Sequence, residues 1–253
     1  MCTENTNRAM VAVCDILGYS NLVRQTPLNE VVTYHIENIQ AALHSSIPRF
    51  PAQPIEGTGD QVLREELVGN LTFSDTVILY SLQDNRDGYR AVLNAATILL
   101  ARHIRWPGLR FRIGISYGDF YAEPARNIYV GRALIEAHEL EKRQDWCGAA
   151  LTDTAVAQIH DSTIDRYYLS QYDVPMHREL RESHMVINWT LAGHEVLPER
   201  GWMERGFAIP ITETQLAVER KLANTERFHA DMCVQCRSVR QRAEIPLPER
   251  QNQ

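Results

Sequence analysis

Residues 8–20 read RAMVAVCDILGYS. The stretch 8–14 is mostly apolar and holds the β-branched Val11 and Val13, which suits a short buried strand. The strand gives way at Asp15 to Ile16-Leu17-Gly18-Tyr19-Ser20, where a helix begins. From Tyr19 to Ser46, Leu22, Val32, Ile36, Ile39 and Leu43 recur at roughly the spacing of one helix face, which predicts one long helix. Pro48, Pro51 and Pro54 then end it.

Working outward, LVGNLTF (67–73), a tight Ser74-Asp75 corner and TVILYSL (76–82) predict a hairpin. Residues 87–105 are helical and stop before Trp106-Pro107-Gly108. LRFRIGISY (109–117) is a strand that Gly118 is expected to turn, with FYAE (120–123) pairing back onto it. Gly131 to Trp146 is a charged amphipathic helix whose tighter face carries Ala133, Ala137, Leu140 and Glu141. GAALT (148–152) is a strand, and DTAVAQIH (153–160) a helix with Asp153 as its expected N-cap. Strands in RYYLSQYDV (166–174) and HMVINWTL (184–191) follow, then a charged helix over 212–240 and a loose tail, PLPERQNQ. Strand pairs alternating with helices predict an α/β sandwich around a central mixed sheet. Residues 1–160 form its core. Residues 161–253 add strands and a helix that complete the same domain or a dimer interface.

Composition narrows the function classes. The 253 residues are 44% hydrophobic and 23% charged, an ordinary globular balance. No apolar run reaches about 18 residues and the start, MCTENTNRAM, lacks an apolar signal core, so a cytoplasmic protein with no membrane attachment is expected. A net charge of −6 argues against a general grip on nucleic acid. The five cysteines are expected to be reduced thiols. Cys233 and Cys236 form a lone C-x-x-C with His229 one turn earlier, and two thiols on one helix face is the reading, since zinc needs about four ligands. Gly57-Thr58-Gly59-Asp60 lacks the strand-to-helix context of a phosphate cradle and reads as a turn.

The informative residues are Asp15 and Asp75, each at the end of a predicted strand. Either alone is an ordinary cap or turn residue. Facing each other across adjacent strand ends, two carboxylates can hold two divalent cations, Mg²⁺ or Mn²⁺, with the Ile16 carbonyl as a further oxygen. Gly18 lets the backbone approach a ligand, and the helix start at Tyr19 and Ser20 offers N–H groups to phosphate. Arg112, on a strand expected to lie beside them, presents a planar fork to a phosphate oxygen, or else is an edge-strand arginine in water.

These motifs carry a resemblance. DILGYS (15–20) resembles the D-I-x-G-F-[ST] opening of the class III nucleotidyl cyclase catalytic domain. FSDTVILYS (73–81) is similar to that family's hairpin with its second metal-binding aspartate, and FRIGISYGDF (111–120) to its R-[IV]-G-I-x-x-G strand. All three occur in family order over residues 8 to about 155. The resemblance implies metal roles for Asp15, Asp75 and the Ile16 carbonyl, and triphosphate roles for the Gly18–Ser20 backbone and Arg112. The departures matter as much. Leu71 and Ile128 stand where the purine cyclases have the Lys and Asp that read adenine. Ile135 stands at the ribose-orienting Asn and Glu139 at the transition-state Arg. Arg132 is the substitute cation considered for that last role, against a surface pair with Glu136 one turn along.

The run YVGRALIEAHELEKRQDWCGAALT (129–152), with YDVP and MVINW later, looks like the pyrimidine cyclases of bacterial anti-phage signalling, the Pycsar systems. That resemblance implies a homodimer with shared active sites, in which Asp15, Asp75 and Arg112 come from one chain and the base-facing groups and those of helix 131–146 from the other. It also implies a downstream effector that responds to a cyclic pyrimidine nucleotide. UTP is the favoured substrate, because uridylate cyclases are the commoner kind in that subgroup. CTP, a rebuilt purine pocket and a non-catalytic nucleotide sensor remain open. Phe50, Tyr19 and Leu71 are candidates to fill the space a smaller base leaves.

Overall fold

The computed structural model describes residues 7–47, 67–105, 110–159, 168–192 and 215–242. The proline stop at 48–54, Phe50, the 57–60 turn and the C-terminal tail lie outside them.

β1 (Arg8–Ile16) runs through the middle of a seven-stranded sheet ordered β2-β3-β1-β4-β7-β9-β8. Its alternation assigns its two faces. Met10, Ala12, Cys14 and Ile16 enter the main core, while Ala9 and Val11 join a smaller cluster with Tyr80, Phe120 and Ala133. β2 (Val68–Phe73) and β3 (Thr76–Ser81) form the expected hairpin about Ser74 and Asp75, and β3 pairs antiparallel with β1. β4 (Phe111–Asp119) pairs antiparallel with the other side of β1 over its whole length. β7 (Ala149–Leu151) is parallel to β4, and β8 (Leu169–Pro175) and β9 (Arg181–Ile187) extend the sheet as an antiparallel pair.

The expected long first helix is broken. α1 (Tyr19–Gln25) stops at Thr26, which is extended because it precedes Pro27. α2 (Leu28–Tyr34) then runs into a π turn at His35–Gln40 and on into α3 (Ala41–Ser46). Break and π turn rotate the apolar face: Val31 is buried and Val32 exposed, while Leu22, Ile39 and Leu43 are buried as expected. α4 (Arg86–Arg105) covers the main-core face, burying Val92, Ala95, Ala96, Leu99 and Leu100. At roughly 1.5–3 kcal/mol for each large apolar side chain, this helix is a major part of the core.

Two turn expectations change. Gly118 does not turn the chain; it stays inside β4, buried beneath Ala133. The FYAE strand, β5 (Tyr121–Glu123), pairs with β6 (Ile128–Val130) in a separate two-stranded ribbon, because Pro124–Arg126 and Asn127 (φ 54) make a closer turn than any return to β4. α5 (Arg132–Arg143) lies on the opposite face of the sheet from α4, burying Ala133, Ala137, Leu140 and Glu141, the four residues its sequence assigns to the tight face. α6 (Asp153–Val156) is one turn long, and its cap is Thr152 rather than Asp153: the Thr152 hydroxyl accepts from the Ala155 N–H.

α7 (Gln215–Arg242) closes the far end of the core. Phe228 packs edge-on against Trp146 at 4.8 Å and Tyr172 at 4.9 Å between ring centroids, and lies 5.8 Å from Trp189. Such pairs add roughly 0.5–1.5 kcal/mol each beyond burial. No described helix is long and apolar enough to cross a membrane.

Candidate active site

Strand register brings the predicted residues together. Asp15 pairs across the sheet with Thr76 on one side and Arg112 on the other. The next step along β1 reaches the hairpin tip, where the Ile16 N–H donates to the Asp75 carbonyl at 3.1 Å. An extended residue directs its N–H and C=O to the same flank, so the Ile16 carbonyl also faces that tip. Asp75 and Asp15 are close enough for one charge to raise the other's proton affinity. The Asp15 carboxyl is pushed above the ordinary range by burial, with Arg112 pulling it back and Asp75 adding to the rise. The Asp75 charge also adds to the upward shift that burial gives Tyr19.

Arg112 is held on three sides. Its Nη2 donates to Asp15 Oδ2 at 3.0 Å, its Nε to Glu141 Oε1 at 2.5 Å and its Nη1 to the Gln144 carbonyl at 3.1 Å. The solvated edge-strand alternative for Arg112 is therefore excluded: its side chain is 11% exposed and that of Glu141 2%. Glu141 is pushed up to about 7, by burial first, with Arg112 opposing and the Asp15 charge adding. His138 Nδ1 lies 3.6 Å from Glu141 Oε2. Gln144 is itself fixed, donating to the Ile113 carbonyl at 2.9 Å and accepting from Trp146 Nε1 at 2.7 Å.

This contact between α5 and β4 exists because residue 114 is glycine. A Cβ there would meet the Ala137 carbonyl oxygen at 2.0 Å and the Glu141 nitrogen at 2.6 Å. Gly18, at φ 80, supplies the left-handed turn that leads from the site into α1. Tyr19 is buried in the core. Ser20 is exposed at the start of α1, and Leu71 is half-buried in β2.

Arg132 is not brought to this cluster. It is exposed at the first turn of α5, nine residues before Glu141, which is about 13 Å along the axis at 1.5 Å per residue. Glu136, its anticipated surface partner, instead accepts from the Ser116 hydroxyl at 2.8 Å. Ile128 and Ile135 are exposed, at 37% and 60%, and Glu139 is exposed one turn beyond Ile135 on α5.

Sequence reasoning placed Glu141 on the buried face but missed its partner. The available signal was a carboxylate inside an apolar stripe, where an unpaired charge is costly. It also missed the support from α7. Arg220 grips both carboxylate oxygens of the buried Asp145 through its Nε and Nη2, Asn224 donates to the Asp145 carbonyl at 2.8 Å, and the Thr225 hydroxyl accepts from the Cys147 N–H at 2.8 Å. Burial pushes the Lys221 ammonium down, the Arg112 charge pushes it further, and Asp145, Cys147 and Asp15 oppose.

Two carboxylates and a backbone carbonyl on adjacent strand ends form an oxygen-only donor set, the chemistry a hard divalent cation selects. The residues therefore fit such ions. Among the described residues no group of three or more His, Cys, Asp or Glu is arranged to hold a metal.

No family model matches the chain, and no curated protein matches it. Among solved structures, it is similar to the catalytic core of a rhodopsin-guanylyl cyclase with converted specificity, in complex with ATPαS. The TM-score is 0.50 at 12% identity, covering 72% of this chain and 95% of that one. The chain has the fold of a nucleotide cyclase catalytic core. Adenylate cyclases from Trypanosoma brucei in their monomeric state give a TM-score of 0.47 at 14% identity, covering 74% of this chain and 93% of theirs. The adenylyl cyclase CyaB from P. aeruginosa gives 0.43 at 15%, covering 71% and 93%. On the cyclase fold of this chain, Asp15, Ile16, Asp75 and Arg112 share one end of the sheet, and Arg132 occupies the other end of α5.

Proposed function

We propose that this chain is a nucleotide cyclase that converts UTP to 3′,5′-cyclic UMP and pyrophosphate, making a second messenger for anti-phage defence. One observation carries the cyclase reading: Asp15, Asp75 and Arg112, far apart in sequence, meet at one end of the sheet of a cyclase fold. The pyrimidine preference rests on the resemblance in sequence and on Leu71 and Ile128, two apolar residues where a purine reader would need polar ones.

In the reaction, the ribose 3′-oxygen attacks the α-phosphorus, the hydroxyl proton is lost, and the bond to the pyrophosphate oxygen breaks. Two divalent cations, Mn²⁺ or Mg²⁺, would acidify that hydroxyl and neutralise the phosphate charge. Asp15, Asp75 and the Ile16 carbonyl are the oxygens to hold them. Arg112 offers its Nη2 to the polyphosphate, and the backbone at Gly18–Ser20 adds N–H donors. Held rigidly, these groups lower the barrier by position and preset charge. Arg132 and the exposed α5 stripe around Ile135 are too far to serve their own chain's Asp15. They act only in a homodimer, against the partner subunit's site.

The decisive experiment is incubation with each of the four ribonucleoside triphosphates and Mn²⁺, with product identification by mass spectrometry. Cyclic UMP and pyrophosphate are expected. Cyclic CMP or cyclic AMP would overturn the base assignment, and nucleotide binding without pyrophosphate release would overturn catalysis in favour of a sensor.

A further inference from the structure

Arg112 has more partners than a phosphate-binding arginine requires. Its Nη2 edge is on Asp15, while Nε and Nη1 are taken by Glu141 and the Gln144 carbonyl of the last turn of α5. The two sides differ in permanence. Glu141 is buried and Gln144 is locked by its own hydrogen bonds to Ile113 and Trp146, whereas the Asp15 side chain is 26% exposed. A guanidinium pinned at both Nε and Nη1 keeps its plane, while the remaining Nη2 can exchange partners.

We propose that Glu141 is the positioning residue of this site: it anchors Arg112 on α5, so that Nη2 passes from Asp15 to a phosphate oxygen when a divalent cation takes the Asp15 carboxylate. This rests on the cyclase reading of the site. Charge is conserved in the exchange. Asp15 trades one cationic partner for another, and Arg112 trades a carboxylate for a phosphate, without either being left unpaired in a part-buried site. Cation and polyphosphate therefore bind together. The cation alone competes with Nη2 for Asp15, and the polyphosphate removes that competitor.

The test uses Mn²⁺ and inorganic tripolyphosphate, a probe with no base or ribose, read by calorimetry on the full chain. In the unaltered chain, tripolyphosphate is expected to tighten Mn²⁺ binding at least tenfold. Glu141→Gln keeps an oxygen for the Nε–H and should retain that coupling within about threefold. Glu141→Ala should lose it at least tenfold. Arg112→Lys, which keeps the charge but cannot hold Glu141, Gln144 and a phosphate at once, should lose it as well; this variant decides the matter if Glu141→Ala does not fold. Full coupling in Glu141→Ala or in Arg112→Lys, or loss in Glu141→Gln equal to that in Glu141→Ala, overturns the positioning role while the cyclase reading stands. An unaltered chain that binds neither probe overturns both.

Discussion

At the scale of single residues, the site is a balance of buried charge. Asp15 and Glu141 both resist ionisation because burial outweighs the pull of one shared guanidinium. Removing either acid leaves Arg112 with less compensation, but only Asp15 belongs to the proposed cation site. Asp15→Asn and Asp75→Ala are each expected to reduce cyclic nucleotide formation on the order of a hundredfold or more, with unchanged melting behaviour for Asp75→Ala at its hairpin tip. Product yield and thermal melts together check this. The Glu141 shift has a stability consequence of definite sign. Its folded value, about 7, lies above the ordinary 4.5, so the folded chain binds more protons than the unfolded one between those values. This group's contribution is greatest below about pH 4.5 and is lost as pH rises toward 7. Melting temperature of the unaltered chain, relative to Glu141→Gln, should therefore fall from pH 5 to pH 7; a flat difference would count against the shift.

At the scale of elements, close approach of α5 to β4 sets the site. Gly114→Ala forces a methyl into the Ala137 carbonyl, which no side-chain rotation relieves, and should cost about 1–3 kcal/mol or more. Since Glu141 and Gln144 ride on the displaced helix, polyphosphate binding should weaken along with stability. Denaturant melts and calorimetry measure the two effects. Much of this level is legible in sequence. The near-continuous apolar runs of β1, β3 and β4, and the tight face of α5, are local patterns that burial enforces. What escapes is non-local or depends on backbone detail. The break at Thr26-Pro27 hides inside a convincing apolar period, and the shift from Val32 to Val31 follows from a π turn that no side-chain pattern announces. Gly118, whose residue type predicts a turn, stays in the strand beneath Ala133. The Asp15 and Asp75 positions were legible because motif order fixed them. The Arg112–Glu141 pair was not, because 29 residues separate partners that only the fold makes neighbours.

At the scale of the whole molecule, the two ends of α5 point to different tasks. Its last turn serves this chain's Arg112, while Arg132 and Ile135 in the first turn stand exposed. If sites are shared between two copies, an Asp75→Ala chain and an Arg132→Ala chain, each inactive alone, should regain activity on mixing, since each mixed pair has one intact site. No recovery under demonstrated subunit exchange would refute sharing. α7 acts at the same scale. Arg220→Ala strips the buried Asp145 of its guanidinium and should destabilise the chain by about 1–3 kcal/mol, as read from denaturant melts.

That last helix has a temporal corollary. The loop at 145–147 follows directly on the turn that fixes Arg112, yet its backbone and carboxylate are satisfied by side chains at 220, 224 and 225. A nascent chain can pair β1, β3 and β4 early, from residues close in its first half. It cannot finish the pocket until some 75 further residues have emerged and folded back, since 220 lies that far beyond 145. Ribosome-stalled fragments ending before α7 should thus hold the strands but leave the Arg112 pocket unfinished, a half-made polypeptide with no competent site.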